Sequence, residues 1–288
     1  MSNILDVKNL TKKYQESNFG LNDISFSIPH GTIMGFIGQN GAGKTTTISC
    51  ILDILSKDTG VIKIFGKELS DTHTKIREDI GVVFDTNNFS KILTANQISK
   101  IMKNVYLRWD TSKFTEYLNQ FNLPANQKLK TYSKGMSMKL AIAIALSHSP
   151  KLLLLDEATS GLDPIVRDEL LDVFLDFVQE DNHSILLSSH ITSDLEKIAD
   201  YITFIHEGKI ILSAKKDDLI YNYAVIRCGL SQFNELDKED IIAYRKMDYQ
   251  IDVLVSDKQS LERKYRNFII DNISIEDIML LIIKGETL

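Results

Sequence analysis

The chain has 288 residues, 43% of them hydrophobic and 25% charged, with a formal net charge of −6. That length holds one large domain or a main domain with an appendage, and the balance is that of an ordinary globular protein, which excludes disordered and fibrous classes. The acidic surplus gives no general attraction to nucleic acid or anionic lipid, Cys50 and Cys228 cannot build a disulfide framework, and no apolar run approaches the roughly 18 residues needed to cross a bilayer.

The start Met1-Ser2-Asn3 lacks the charged and apolar regions of a signal peptide, so a reducing cytoplasmic setting is expected and any membrane span must come from another chain. Residues 4–10 and 21–28 alternate apolar and polar side chains, which predicts an antiparallel pair joined through Tyr14 and Gly20. Tyr14 offers a ring on which a base could stack, although a loop tyrosine taken alone more often serves as surface or edge packing. After a turn at Pro29-His30-Gly31, the apolar residues 33–37 read as a strand. They run into Gly38-Gln39-Asn40-Gly41-Ala42-Gly43-Lys44-Thr45-Thr46, and a helix is expected beyond it. Strand, glycine-rich loop, helix is the context in which G-x-x-x-x-G-K-[ST] wraps a polyphosphate. The glycines let backbone N–H groups point inward, and the helix N-terminus adds partial positive charge. There Lys44 would reach the β- and γ-phosphates and Thr45 would ligate Mg²⁺.

Thr59-Gly60 ends the helical pattern, residues 61–66 and 80–84 read as strands, and residues 75–79 as a short charged helix between them. From about residue 89 the texture turns helical, with Ile92, Ile98, Ile101, Met102 and Val105, then Phe114, Tyr117, Leu118 and Phe121, spaced at helical intervals and broken once by Pro124. A helical subdomain inserted at about 89–150 is expected. Within it, Tyr132-Ser133-Lys134-Gly135-Met136 precedes a helix over 137–146. After Lys151, residues 152–155 are continuously apolar and end in Asp156-Glu157, as a central parallel strand covered on both faces should. Ser160-Gly161-Leu162-Asp163-Pro164 makes a turn into a helix over 165–178. Residues 184–187 form another buried strand ending in Ser188-Ser189-His190, 194–199 look helical, and 201–206 with 209–212 form a hairpin. Residues 213–288 carry no visible phosphate chemistry. They read as a small α+β appendage with strands at 224–228 and 251–255, polar helices at 234–246 and 258–267, and an amphipathic helix at 274–284.

A phosphate loop together with a strand ending in two acids points to nucleotide hydrolysis. Asp156 would hold Mg²⁺ directly or through water, and Glu157 would polarise the attacking water. His190 shares that sheet edge.

These pieces, in this order, resemble the ATP-binding subunit of ABC transporters over residues 5–212. The resemblance implies an α/β fold: a P-loop NTPase cassette over residues 1–212, with a mixed sheet core, an antiparallel β subdomain and an inserted helical subdomain, followed by the α+β accessory region 213–288. It implies ATP and Mg²⁺ as cofactors. Tyr14 matches the adenine-stacking aromatic, Gly38 to Thr45 the Walker A loop, residues 152–156 the Walker B strand, Glu157 the catalytic glutamate, residues 160–163 the D-loop and His190 the switch histidine. Ser133, Lys134, Gly135 and Met136 fall where the family carries Ser-Gly-Gly-Gln, so Lys134 and Met136 replace a glycine and a glutamine. Asp85 stands at the glutamine of the Q-loop. It would be a third metal ligand beside Thr45 and Asp156, or else the cap of the helical block after Thr86.

The family pairs two cassettes head to tail, so Ser133, Lys134, Gly135 and Asp163 are expected to act on the nucleotide of a second ATP-binding subunit, identical or homologous. Transmembrane permease subunits are the other expected partners, with the chain peripheral on the cytoplasmic face of the membrane and no nucleic acid bound. Tyr-Ser-Lys-Gly-Met, Asp85 and Ser274-Ile275-Glu276-Asp277-Ile278 resemble a bacterial subgroup of ABC-2-type exporters. That subgroup handles peptide antibiotics, lantibiotics and small amphipathic peptides including phenol-soluble modulins. A soluble ABC ATPase of translation or DNA repair would carry two cassettes or a long coiled coil, and neither is visible. A nucleotide-binding regulator without hydrolysis is opposed by Glu157 and His190.

Overall fold

The computed structural model describes residues 3–14, 19–68, 74–85, 89–180 and 182–287. Parts of two sequence readings, the connection after Tyr14 and a helical block capped just after Asp85, lie outside the described residues.

Strand β1 (Asn3–Lys13) pairs antiparallel with β2 (Gly20–Pro29), as the alternation predicts. After β3 (Ile33–Ile37) and helix α1 (Lys44–Ile51), β4 (Thr59–Ile64) returns to the other side of β1, completing a three-stranded sheet of order β2-β1-β4. Helix α2 (Thr74–Arg77) leads into β5 (Ile80–Val83). The helical block follows as α3 (Ala95–Val105), α4 (Thr111–Gln120) and α5 (Lys134–Leu146). Ile92 is not part of it: α3 starts later because Thr94 and Gln97 form a reciprocal capping box, which leaves Ile92 outside and 70% exposed.

Next come β6 (Leu152–Asp156), α6 (Pro164–Val178), β7 (Ser184–Ser189), α7 (Thr192–Ile198), β8 (Tyr201–His206) and β9 (Lys209–Lys215). The main sheet runs β5-β6-β7-β3-β8-β9, parallel except for the antiparallel β8–β9 pair. Its central strands are apolar without alternation because both faces are covered. Ile33, Ile37, Leu153, Leu155, Ile185 and Leu187 face the helical block and α5 to α7, whereas Met34, Phe36, Leu152, Leu154 and Leu186 face α1 and the three-stranded sheet. Emptying one such position, as Leu154→Ala would, costs about 2–5 kcal/mol. The parallel register sets Leu155 beside Leu187, and Asp156 beside Ser188, which in turn pairs with Phe36. The C-terminal ends of β3, β6 and β7 therefore share one edge of the sheet.

The remaining chain forms α8 (Lys216–Asn222), β10 (Ala224–Cys228), α9 (Leu230–Phe233), β11 (Ala243–Lys246), β12 (Ile251–Val255), α10 (Lys258–Lys264), β13 (Ile269–Asn272) and α11 (Ile275–Lys284). Its four strands make an antiparallel sheet of order β11-β12-β10-β13. Residues 234–246 are thus not the expected polar helix. They contain a single turn at Lys238–Asp240 and then β11, which is held by its ladder to β12. One face of this sheet, with Ala224, Ile226 and Val253, packs on Leu261 and Tyr265. The other, with Val225, Ala243 and Leu254, joins Ile275, Ile278 and Leu281 of α11 in the same buried cluster as Leu195 and Ile198 of α7.

Candidate active site

The phosphate-loop sequence leaves β3 at Ile37 and enters α1 at Lys44, and its bend depends on glycine. Gly43, the residue before α1, has φ 117°, and a Cβ there would stand 2.7 Å from Leu21 Cδ2. Gly208, at the tip of the β8–β9 turn, supports the loop from outside, its N–H donating to the Ala42 carbonyl at 2.9 Å; a Cβ on it would meet the Gly20 carbonyl oxygen.

Lys44 is only 5% exposed. Its Nζ donates to the carbonyls of Gly38 at 2.6 Å and Gln39 at 3.3 Å, and lies 3.0 Å from Glu157 Oε1. The last is a charge contact without hydrogen-bond alignment, since the Glu157 oxygen has no aligned donor. Carbonyl dipoles and a carboxylate together make a buried ammonium tolerable. Asp156, also buried, accepts from Thr45 Oγ1 at 2.6 Å through one oxygen and from Ser188 Oγ at 2.5 Å through the other. Glu157 has the left-handed φ of 55°, and its N–H donates to the Ser188 carbonyl at 3.1 Å. Such a backbone costs on the order of 1 kcal/mol and persists where its surroundings fix it, often at functional sites. Its Oε2 lies 2.6 Å from His190 Nδ1, within hydrogen-bond reach.

Lys44, Thr45, Asp156, Glu157 and His190 are thus brought together at the C-terminal edge of β3, β6 and β7. Gly41, Gly43, Lys44, Thr45, Thr46 and Glu157 line a pocket of about 240 Å³. An adjoining cleft of about 870 Å³ is lined by Tyr14, Gln39, Asn40, Gly41 and Ala42. Phe19, which the sequence reading passed over, lines both and holds its ring 6.2 Å from that of Tyr14. Ser188 was also overlooked. Its only signal was its place two residues before His190 on a buried strand.

The motif at the start of α5 lies apart. Ser133 caps the helix, its hydroxyl accepting from Met136 N at 3.1 Å, while Gly135 leaves the first turn open. Lys134 Nζ pairs with Asp85 Oδ1 at 3.3 Å, both about half exposed. Asp163 caps α6 through the N–H groups of Ile165 and Val166. Asp85 follows β5, which pairs directly with the Asp156 strand β6, but its carboxylate is turned to Lys134, and among the described residues no hydrogen bond or ion pair joins it to Thr45 or Asp156. A hydroxyl beside a carboxylate at the head of a phosphate pocket still fits Mg²⁺, which takes few protein oxygens and completes its shell with water and phosphate.

A buried lysine in a glycine loop, with an acid pair on a neighbouring strand of a mostly parallel sheet, defines a P-loop nucleotide hydrolase. Residues 21–160 match the family described as ABC transporter. The chain is 38% identical over 216 residues to the lantibiotic transport ATP-binding protein SrtF of Streptococcus pyogenes, covering 74% of this chain and 92% of that one. It is 36% identical over 221 residues to the bacitracin transport ATP-binding protein BcrA of Bacillus licheniformis, covering 76% and 72%. A solved ATP-binding cassette, dimeric and in a post-hydrolysis state with ADP and phosphate, matches with TM-score 0.66 at 25% identity over 74% of this chain and 98% of that one. The chain belongs to the ATP-binding subunits of ABC transporters; it binds nucleotide and is an ATPase. Among the described residues no helix is long and apolar enough to cross a membrane.

Proposed function

We propose that this chain is the motor of a bacterial exporter for small peptides or other amphipathic compounds, working as a head-to-tail pair of cassettes docked on separate transmembrane permease subunits at the cytoplasmic face of the membrane. The observation that carries the hydrolytic part is the Glu157 carboxylate held between Lys44 at 3.0 Å and His190 at 2.6 Å at the mouth of the phosphate pocket. Lys44 and the loop amides bind the phosphates. Glu157 accepts the hydrogen bond that orients and polarises the attacking water, and the His190 N–H fixes the carboxylate. Thr45 and Asp156 would hold Mg²⁺, which would supply charge neutralisation for the phosphates. Tyr14 and Phe19 stack the base.

Support for pairing comes from the open start of α5, where the first-turn amides of Lys134 and Gly135 have no intrahelical acceptor. The dimeric state of the matched cassette points the same way. Ser133, Lys134, Gly135 and Asp163 would serve the second subunit's nucleotide. The cargo class rests on the names of the lantibiotic and bacitracin relatives. The division into a cassette of residues 1–212 and an accessory region 213–288 belongs to the same reading.

Glu157→Gln tests it. The variant should bind ATP, lose turnover by at least about 100-fold and accumulate as a dimer on size exclusion. Hydrolysis at the normal rate would show that the base lies elsewhere. Co-purification with membrane-spanning subunits from detergent-solubilised membranes checks the export assignment, and its absence sinks that part.

A further inference from the structure

Helix α7 starts two residues after His190, so whatever fixes α7 fixes the imidazole. Its own N-terminus is weakly anchored, because its N-cap residue, Ile191, has no side-chain cap. The restraints come from elsewhere in the chain. On the side of α6, the buried Asp194 faces Arg167 at 3.7 Å, a loose contact in which Asp194 Oδ2 and Arg167 Nε are buried without hydrogen-bond partners. On the other side stands the C-terminal region. Glu196 Oε1 accepts the backbone N–H of Ile275, the first residue of α11, at 2.8 Å, and Thr192 Oγ1 donates to Glu276 Oε2 at 3.4 Å. The carbonyl of Glu196 accepts from Lys216 Nζ, at the start of α8, at 2.9 Å. Beneath these polar contacts Leu195 and Ile198 share a buried cluster with Ile275, Ile278 and Leu281.

Helix α6 also ties α7 through the exposed Lys197 Nζ, which donates to Asp168 Oδ1 at 2.8 Å in the last turn, away from His190; its buried contact, Asp194 with Arg167, is under-satisfied, whereas the contact of α7 with α11 is aligned and partly buried. Aligned hydrogen bonds to charged groups hold geometry better than a stretched ion pair with orphaned atoms. The N–H groups at the start of α11 also favour the Glu196 carboxylate electrostatically.

We propose that α11 is a positioning element for His190: Glu196 ties α7 to the start of α11, and the C-terminal region thereby sets the rate of hydrolysis without touching the nucleotide. The proposal rests on the role given to His190 above. Glu196 is a positioning residue. It touches neither substrate nor the reacting atoms, and it acts through α7.

The test uses the full chain. Glu196→Ala removes the acceptor for Ile275 N–H, and Glu196→Gln keeps a carbonyl oxygen there. Glu196→Ala should lower kcat about 3- to 10-fold with KM for ATP unchanged, and Glu196→Gln should restore most of the rate. The ¹H–¹³C imidazole resonance that is lost in His190→Ala should shift in Glu196→Ala and return in Glu196→Gln. Thr192→Val, nearly isosteric, should move kcat and that resonance in the same direction by less, and serves as the probe if Glu196→Ala does not fold. An unmoved resonance, an unchanged kcat, a changed KM, or equal losses in the alanine and glutamine variants overturns the proposal. If instead His190→Ala hydrolyses ATP at the full rate, the role of His190 falls and takes the proposal with it; the single variant distinguishes the two failures.

Discussion

The polar groups at the edge of β3, β6 and β7 are spent on one another, whereas those at the start of α5 are turned outward. At the first, Lys44, Glu157 and His190 form one set of contacts and Thr45, Asp156 and Ser188 another, all between 2.5 and 3.0 Å, joined by the Glu157 N–H donating to the Ser188 carbonyl at 3.1 Å, with Lys44, Asp156 and Ser188 buried. At the second, Ser133 caps only its own helix and Lys134 reaches a half-exposed carboxylate. A network whose groups mostly find partners within the chain is costly to break. A helix start with unpaired amides is built to receive an anion brought by something else. On the proposed function, one half of the machinery is complete in a single chain and the other is supplied by a second one.

Perturbations should therefore weigh unequally on the two regions. The largest effect is expected for Lys44→Ala, which leaves Glu157 buried beside no cation and the phosphates without their side-chain charge. ATP binding by calorimetry should weaken at least about 100-fold, roughly 3 kcal/mol, in a folded protein. Near-wild-type affinity would break the comparison at its strong end. Ser188→Ala strips one hydroxyl from Asp156, so a buried carboxylate oxygen loses its donor. A loss of about 1–3 kcal/mol in stability and about 10-fold in kcat is expected, read from melting curves and steady-state ATPase rates. A neutral outcome would mean that Asp156 is fixed by Thr45 alone.

The far end of α5 tells how firmly the helical block is seated. There the buried His148 stacks on Tyr106 at 3.9 Å, and its Nε2 lies 3.1 Å from the Ile80 carbonyl, with Glu78 and Arg108 the nearest charges. Burial holds the His148 imidazole below the ordinary histidine range, a shift only partly opposed by that carbonyl. The folded chain then binds fewer protons than the unfolded one, so this stabilisation is present above about pH 6.5 and is lost as pH falls below it. Denaturant unfolding of His148→Asn between about pH 5 and 7 should show a shallower pH slope, by up to about 1.4 kcal/mol per pH unit. An unaltered slope would assign the acid sensitivity to other groups. The smallest effect is expected for Asp85→Gln, which removes an ion pair in solvent. Stability should change by less than about 1 kcal/mol, and Mg²⁺ titrations of ATPase rate should superimpose on wild type. A shifted midpoint would return Asp85 to the metal.

Most of the sheet was legible from residue pattern because its strands are either alternating or wholly apolar. The phosphate loop and the Asp156-Glu157 pair were legible because their spacing is fixed by backbone chemistry. What escaped depends on contacts distant in sequence. β11 and β13 are four residues each, too short for a period, and exist through the ladders to β12 and β10. The partner of Asp85 lies on a helix that the resemblance assigned to another chain's nucleotide, and Ser188 matters only because parallel pairing sets it beside Asp156. The helix over 274–284 was foreseen from its amphipathic face, but nothing in that face says it would rest on the helix behind His190.

One strand has a mechanical consequence of its own. β9 does not stop at Leu212: it pairs with β8 through Ser213, Ala214 and Lys215, and Ser213 shares a hydroxyl contact of 2.8 Å with Thr203. The passage from the main sheet into α8 is therefore made by a stiff ribbon clamped along its length, with no slack between them. A chain cut after Leu212 would fray the sheet's edge, and a twist applied at the far end of the molecule would reach β8 as torque.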